Sequence, residues 1–184
     1  MEAHDLAAAV RRREPLAAKL FEALERNTHD GIGITRASYG PGEQYAHALM
    51  AETARGLGLE VTVDAAGNTY MTLPGRDRTK PRIITGSHLD SVAQGGNYDG
   101  AAGVVSGLVA AASLKDMGLA LDRDFTVMGI RAEESAWFGV SYIGSRSALG
   151  ALPEGALDTA RRADTGRSLA DHMAEAGLAP ERLR

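Results

Sequence analysis

Leu6, Val10, Leu16, Leu20 and Leu24 recur close to every third or fourth position with charge between them, which predicts an amphipathic helix over residues 5–26. Pro15 either kinks that helix or divides it in two. Residues 27–33 are rich in Asn, Asp and Gly and predict a turn. Pro41 suits the first turn of a second helix, running to residue 57 and closed by Gly58. The period then changes to two. Residues 59–64 alternate apolar and polar, 65–68 turn, and 68–73 return before Pro74-Gly75, predicting an antiparallel hairpin at a sheet edge. A short central strand is expected over 82–86, a helix over 99–117 ended by Gly118 with Lys115 in its last turn, and a strand over 125–130. Strand, helix, strand in that order implies a right-handed crossover between parallel strands. Helix propensity accounts for the alanines of 99–117 but not for its glycines, which suggest close packing against the sheet. Short helices are expected over 140–149 and 168–176. The pattern is that of an α/β fold, a mixed, largely parallel sheet flanked by helices, with no repeat and no linker.

Composition narrows the function. With 184 residues, 44% of them hydrophobic, the chain can bury one real core. A net charge of −4 argues against nucleic acid as a partner. The one tight basic cluster, Arg11, Arg12 and Arg13, reads as a solvated helix face. Cysteine is absent, so neither disulfides nor thiolate ligands are available, which fits a reducing compartment. No apolar run approaches the roughly 20 residues that a bilayer requires. Met1-Glu2-Ala3-His4-Asp5 lacks the basic-then-apolar order of a signal peptide. A cytoplasmic protein with no membrane partner is expected.

Candidate chemistry gathers where apolar strands end. Thr85-Gly86-Ser87-His88-Leu89-Asp90 follows Ile83-Ile84, and Arg131-Ala132-Glu133-Glu134 follows the strand at 125–130. Between them Gly95-Gly96-Asn97-Tyr98-Asp99-Gly100 supplies a third ionisable group. Imidazole and carboxylates arriving together suit a transition-metal site, and a carboxylate can bridge two ions. A lone histidine is usually a satisfied one, but Asp90 can accept the other N–H of His88, the common arrangement behind a metal ligand. Asp99 suits a helix N-cap as well as a ligand. Of Glu133 and Glu134, one can bind an ion while the other takes a proton from water. The glycine-rich loop lacks both G-x-G-x-x-G and a G-K-[ST] ending, so it is not a phosphate cradle. His4, His29, His47 and His172 lack acidic partner patterns and read as structural or solvent-exposed.

Taken together, Gly86-Ser87-His88-Leu89-Asp90-Ser91, Gly95-Gly96-Asn97-Tyr98-Asp99-Gly100, Glu133-Glu134, Phe138-Gly139 and Gly144-Ser145-Arg146 resemble the amidase/hydantoinase/carbamoylase family. Fainter echoes are Gly33-Ile34-Thr35-Arg36 and Asp64-Ala65-Ala66-Gly67-Asn68, so the likeness runs from residue 30 to the end. That family holds N-carbamoyl-L-amino-acid hydrolases, allantoate amidohydrolases and β-ureidopropionases, within a clan of dizinc aminoacylases and peptidases.

The resemblance implies a zinc-peptidase-like catalytic core and a zinc-dependent hydrolase of non-peptide C–N bonds, with a small ureido or amide substrate. It implies a dizinc centre, with Mn, Co or Ni as substitutes. His88 would bind one ion, Glu134 the other, and Asp99 both. Glu133 would be the general base and Asp90 would orient His88. The Asp99–Gly100 peptide would be cis, as in that clan. Family members are longer, adding a second histidine ligand, a dimerising lid and a third histidine. Residues 1–184 are therefore expected to form the N-terminal part of the catalytic domain, without lid or C-terminal part. The full-length form would be a homodimer, or a second chain would carry the missing half. Ser135-Ala136-Trp137 departs from the family pattern, and Trp137 beside the site would reshape the substrate pocket. Three readings stay open: the carbamoyl or acyl amidohydrolase, an aminoacylase or peptidase of the same clan, and an inactive fragment needing a partner chain.

Overall fold

The computed structural model describes residues 3–183, with side chains from residue 5 onward. The His4 side chain lies outside them. Of the two alternatives at Pro15 the division holds, giving helix α1 (Ala3–Arg12) and helix α2 (Glu14–Thr28). The break falls at Arg13, with Pro15 in the first turn of α2. Proline lacks the N–H that a continuous helix would need there, so the helix restarts instead. Helix α3 (Pro41–Gly56), the hairpin β1 (Glu60–Val63) and β2 (Thr69–Leu73), strand β3 (Ile83–His88), helix α4 (Ala101–Asp116) and strand β4 (Phe125–Ile130) follow, all within two residues of expectation. Four short helices complete the chain: α5 (Ser135–Phe138), α6 (Ile143–Ala148), α7 (Ala156–Thr159) and α8 (Leu169–Glu175). A 3-10 turn lies at Pro180–Leu183.

The sheet is mixed, in the order β1-β2-β4-β3. The hairpin pairs antiparallel and β2 joins β4 antiparallel, so parallel pairing is confined to β3 and β4. One expectation is corrected. The strand ending at His88 is not central; β4 is, and β3 lies at the edge, with Ile83 and Ile84 exposed by 46% and 51%. Their apolar character suggested burial, but among the described residues nothing pairs with the outer side of β3.

Helix α4 packs on β3 and β4, and its glycines explain how closely. A Cβ at Gly107 would fall 2.7 Å from Val127 Cγ1, and one at Gly103 would fall 2.6 Å from Ser87 Cβ. The main core joins α2, α3 and α4 to the sheet through Leu24, Met50, Met71, Leu89, Leu108 and Val127. A second core, with Ala132, Trp137, Phe138, Ile143, Leu169 and Met173, lies among the short helices. It supports the backbone that follows β4.

Candidate metal centre

Parallel pairing decides where the site forms. The register sets His88 opposite Ile130, so the ends of β3 and β4 lie side by side, and the residues just beyond them share one edge of the sheet. Helix α4 returns from β3 to β4, which brings Asp99 to the same place. Nε2 of His88 lies 3.7 Å from Asp99 Oδ1 and 3.7 Å from Glu133 Oε2. His88, Glu133 and Glu134 each offer one ligand-type atom within 4.8 Å of the others. All five residues read from the sequence, His88, Asp90, Asp99, Glu133 and Glu134, are gathered here.

Asp90 organises the cluster. It is wholly buried, and its carboxylate accepts from Ser38 Oγ at 2.7 Å and from the backbone N–H groups of Glu133 at 3.0 Å and Glu134 at 3.1 Å. Its Oδ1 lies 3.3 Å from His88 Nδ1, and its carbonyl oxygen lies 3.0 Å from the same nitrogen. Two acceptors at Nδ1 hold a proton on that nitrogen, so Nε2, which faces the acids, is the nitrogen that would give up its proton to a metal. Burial disfavours an imidazolium, but the Asp90 carboxylate and then Glu133 outweigh it and raise His88 to about 9. Burial also works against the Asp90 carboxylate, yet His88, Ser38 and the Glu133 N–H hold it below the usual range. Glu134 is pushed up, first by burial and further by Asp90, Asp99 and Glu133, with His88 opposing. Such a cluster of acids gains from a cation.

The Asp99–Gly100 expectation is corrected, since no peptide bond among the described residues is cis. The trans form of a non-proline peptide is lower by about 2.5–4 kcal/mol. The chain reverses at Gly100 instead, with φ 64° and ψ −50°. Only glycine fits, because a Cβ there would fall 2.5 Å from the His88 ring.

Sequence reasoning missed the supports beneath the cluster. Arg36 is wholly buried and donates from Nε to the Leu89 carbonyl at 2.7 Å and from Nη2 to the Asp99 carbonyl at 3.1 Å. It sets a cation behind the acids, its charge opposed by burial and favoured by Asp90 and Asp99. Its one sequence signal was the family-like Gly33-Ile34-Thr35-Arg36. Ser38 and the buried ion pair of Glu43 with Arg131, 2.9 Å long, gave no signal.

Trp137 anchors the loop after β4 beside the site. It is buried, donates from Nε1 to the Ser91 carbonyl at 2.7 Å, and packs in the second core. Of the other histidines, His47 is buried beside Thr69 Oγ1 at 2.9 Å and His172 beside Thr165 Oγ1 at 2.7 Å. His29 is exposed and its Nδ1 accepts from the Gly31 N–H. None of the three joins the metal-type group.

The chain is similar to known proteins over most of its length. A family model described as peptidase family M28 matches residues 68–160, the stretch that holds His88, Asp99, Glu133 and Glu134. The chain belongs to peptidase family M28. Within this clan it is similar to amidohydrolases, as the motifs implied. N-carbamoyl-L-amino acid amidohydrolase of Geobacillus stearothermophilus is 38% identical over 170 residues, covering 92% of this chain and 41% of that protein. Allantoate amidohydrolase of Bacillus subtilis is 32% identical over 146 residues, covering 79% and 35%. The crystal structure of a hydantoinase/carbamoylase family amidase from Burkholderia ambifaria superposes with a TM-score of 0.77 at 30% identity, covering 88% of this chain and 41% of that one. The M28 chain thus spans about two fifths of the length of these relatives. Among the described residues no helix is long and apolar enough to cross a membrane.

The donor set fits a divalent ion. It consists of an imidazole nitrogen with its tautomer set from behind and carboxylate oxygens around it, the ligands that zinc and its neighbours accept.

Proposed function

We propose that this M28 chain carries the metal-binding part of an amidohydrolase that cleaves a C–N bond of N-carbamoyl or N-acyl amino acids. The observation that carries the proposal is the His88 Nε2, its proton assigned to Nδ1 by Asp90, facing Asp99 and Glu133 at 3.7 Å each. His88 and Asp99 would hold one divalent ion and Asp99 and Glu134 a second, zinc first, with Mn, Co or Ni as substitutes. When bound, such ions acidify water and polarise a carbonyl. Glu133 is the general base. It takes a proton from the attacking water and returns it to the departing nitrogen as the C–O bond forms and the C–N bond breaks. Arg36 supports the Asp99 backbone, and Asp90 holds His88 and both glutamate N–H groups.

Glu133 and Glu134 both stand within ligand reach, so substitution separates their roles. In the assembled enzyme, Glu133→Gln is expected to keep its metal and lose turnover of N-carbamoyl amino acids by about 100-fold or more. Glu134→Gln is expected to lose metal. Near-native turnover in Glu133→Gln moves the base elsewhere. The peptidase name of the matched family favours a second reading, hydrolysis of a peptide amide. Parallel assays on N-carbamoyl amino acids, N-acyl amino acids and dipeptides separate the two.

A further inference from the structure

We propose that Glu43 is a positioning residue: one buried carboxylate on α3 clamps together the two loops that frame the cluster, and so sets where Glu133 and Glu134 stand. The proposal deepens the metal-site reading above and rests on it for its functional meaning.

Glu43 is wholly buried. Its Oε2 accepts from the Tyr39 N–H at 2.7 Å and from Arg131 Nη1 at 2.9 Å, and its Oε1 accepts from the Ala132 N–H at 2.8 Å. The two backbone donors are unusual residues. Tyr39 has φ 54° and Ala132 has φ 48°, left-handed conformations that side chains with a Cβ disfavour. Such corners persist where the surroundings enforce them. Here one carboxylate enforces both.

Each corner precedes a residue or follows one that builds the site. Ser38, before Tyr39, donates to Asp90 Oδ2, and Glu133 and Glu134, after Ala132, donate their N–H groups to Asp90. Glu43 and Asp90 therefore form two successive rungs between the same two loops. The lower rung fixes the corners, and the upper rung orients His88. A loop shift at Ala132 would move both glutamates and the acceptor that sets the His88 tautomer.

The competing role is plain neutralisation of Arg131. That cation has other partners, the Gly67 carbonyl at 3.1 Å from Nε and Gln44 Oε1 at 2.7 Å from Nη2, so the two roles separate. A Gln at position 43 keeps the shape but brings an NH2 group against donors, which leaves at least one corner N–H unsatisfied.

Amide hydrogen exchange on the metal-free chain reads the clamp directly, and zinc dialysis reads its consequence. In Glu43→Gln the Ala132, Glu133 and Glu134 amides are expected to exchange about tenfold faster or more. Sheet amides such as Met71 and Val127 should keep their protection. Zinc affinity should fall with the loops, and Glu52→Gln on the exposed face of α3 should change neither. The double variant Glu43→Gln/Arg131→Met removes the stranded cation, and it serves as the reporter if the single variant does not fold. Continued fast exchange at 132–134 in the double variant supports the clamp. Restored protection there assigns Glu43 to neutralisation alone and overturns the proposal, as does unchanged exchange at 132–134 or uniform loss across the sheet. Exchange is measured without metal, so a wild-type chain that fails to bind zinc sinks the metal-site reading and leaves the clamp to be judged separately.

Discussion

His47 of this M28 chain is buried and His88 is partly buried, and their surroundings push them in opposite directions. His88 has Asp90 at Nδ1 and Glu133 beyond, and sits at about 9. His47 is held well below its ordinary value, first by burial and then by Arg131. For His88 the folded value lies above the unfolded one, so its stabilisation is present below pH ~6.5 and is lost as pH rises toward about 9. For His47 the folded value lies below, so stability is lost as pH falls beneath ~6.5, by up to ~1.4 kcal/mol per pH unit. Urea denaturation of the metal-free chain should therefore show greatest stability near pH ~6.5. His88→Asn should flatten the alkaline limb alone. An alkaline limb unchanged in that variant would contradict the Asp90 pairing. At this scale the sequence was readable where a polar residue ends an apolar run, as at His88 and Glu133. It was silent where a buried charge imitates an exposed one. Glu43 in the first turn of α3 looks like an acid complementing the helix dipole, and its three buried donors come from residues 4 to 89 positions away.

Elements long enough to carry a period were legible, and those shorter than a helical nucleus were not. Helices α5 and α7 have four residues each, too few to be stable without packing, and they exist because Trp137, Phe138 and Leu157 enter the second core. Helix α8 was expected over 168–176, and it opens on a capping box, Ser168 with Asp171. The α4 glycines make an element-scale prediction. A side chain at Gly107 meets Val127 at 2.7 Å, so Gly107→Val should overpack the helix against β4 and destabilise by about 1–3 kcal/mol. Gly56, at the end of α3, has open space around its missing Cβ. Gly56→Ala should be neutral or stabilise by up to ~1 kcal/mol. Equal effects of the two changes in urea denaturation would mean that α4 does not pack as closely as described.

For the whole molecule, the open side of β3 is the main liability. The strand that delivers His88 has no partner on its outer side among the described residues, and Ile83 and Ile84 are about half exposed. Unpaired, apolar edge strands template association. The 184-residue chain alone should self-associate with rising concentration, and Ile84→Lys should suppress this in light scattering. A chain that stays monomeric at high concentration would show that the edge is protected. The number of ligands bears on the metal. A zinc site wants about three protein ligands and an open position. The proposed ligands give each ion fewer, so weak binding and no significant turnover of N-carbamoyl amino acids are expected from this chain alone.

Equilibrium dialysis with zinc on the wild-type chain, His88→Ala and Asp99→Ala is the most direct measurement. Weak but saturable binding by the wild type is expected, falling about tenfold or more in each variant and furthest in Asp99→Ala, which would serve both ions. Binding that is the same in all three proteins would contradict the metal centre.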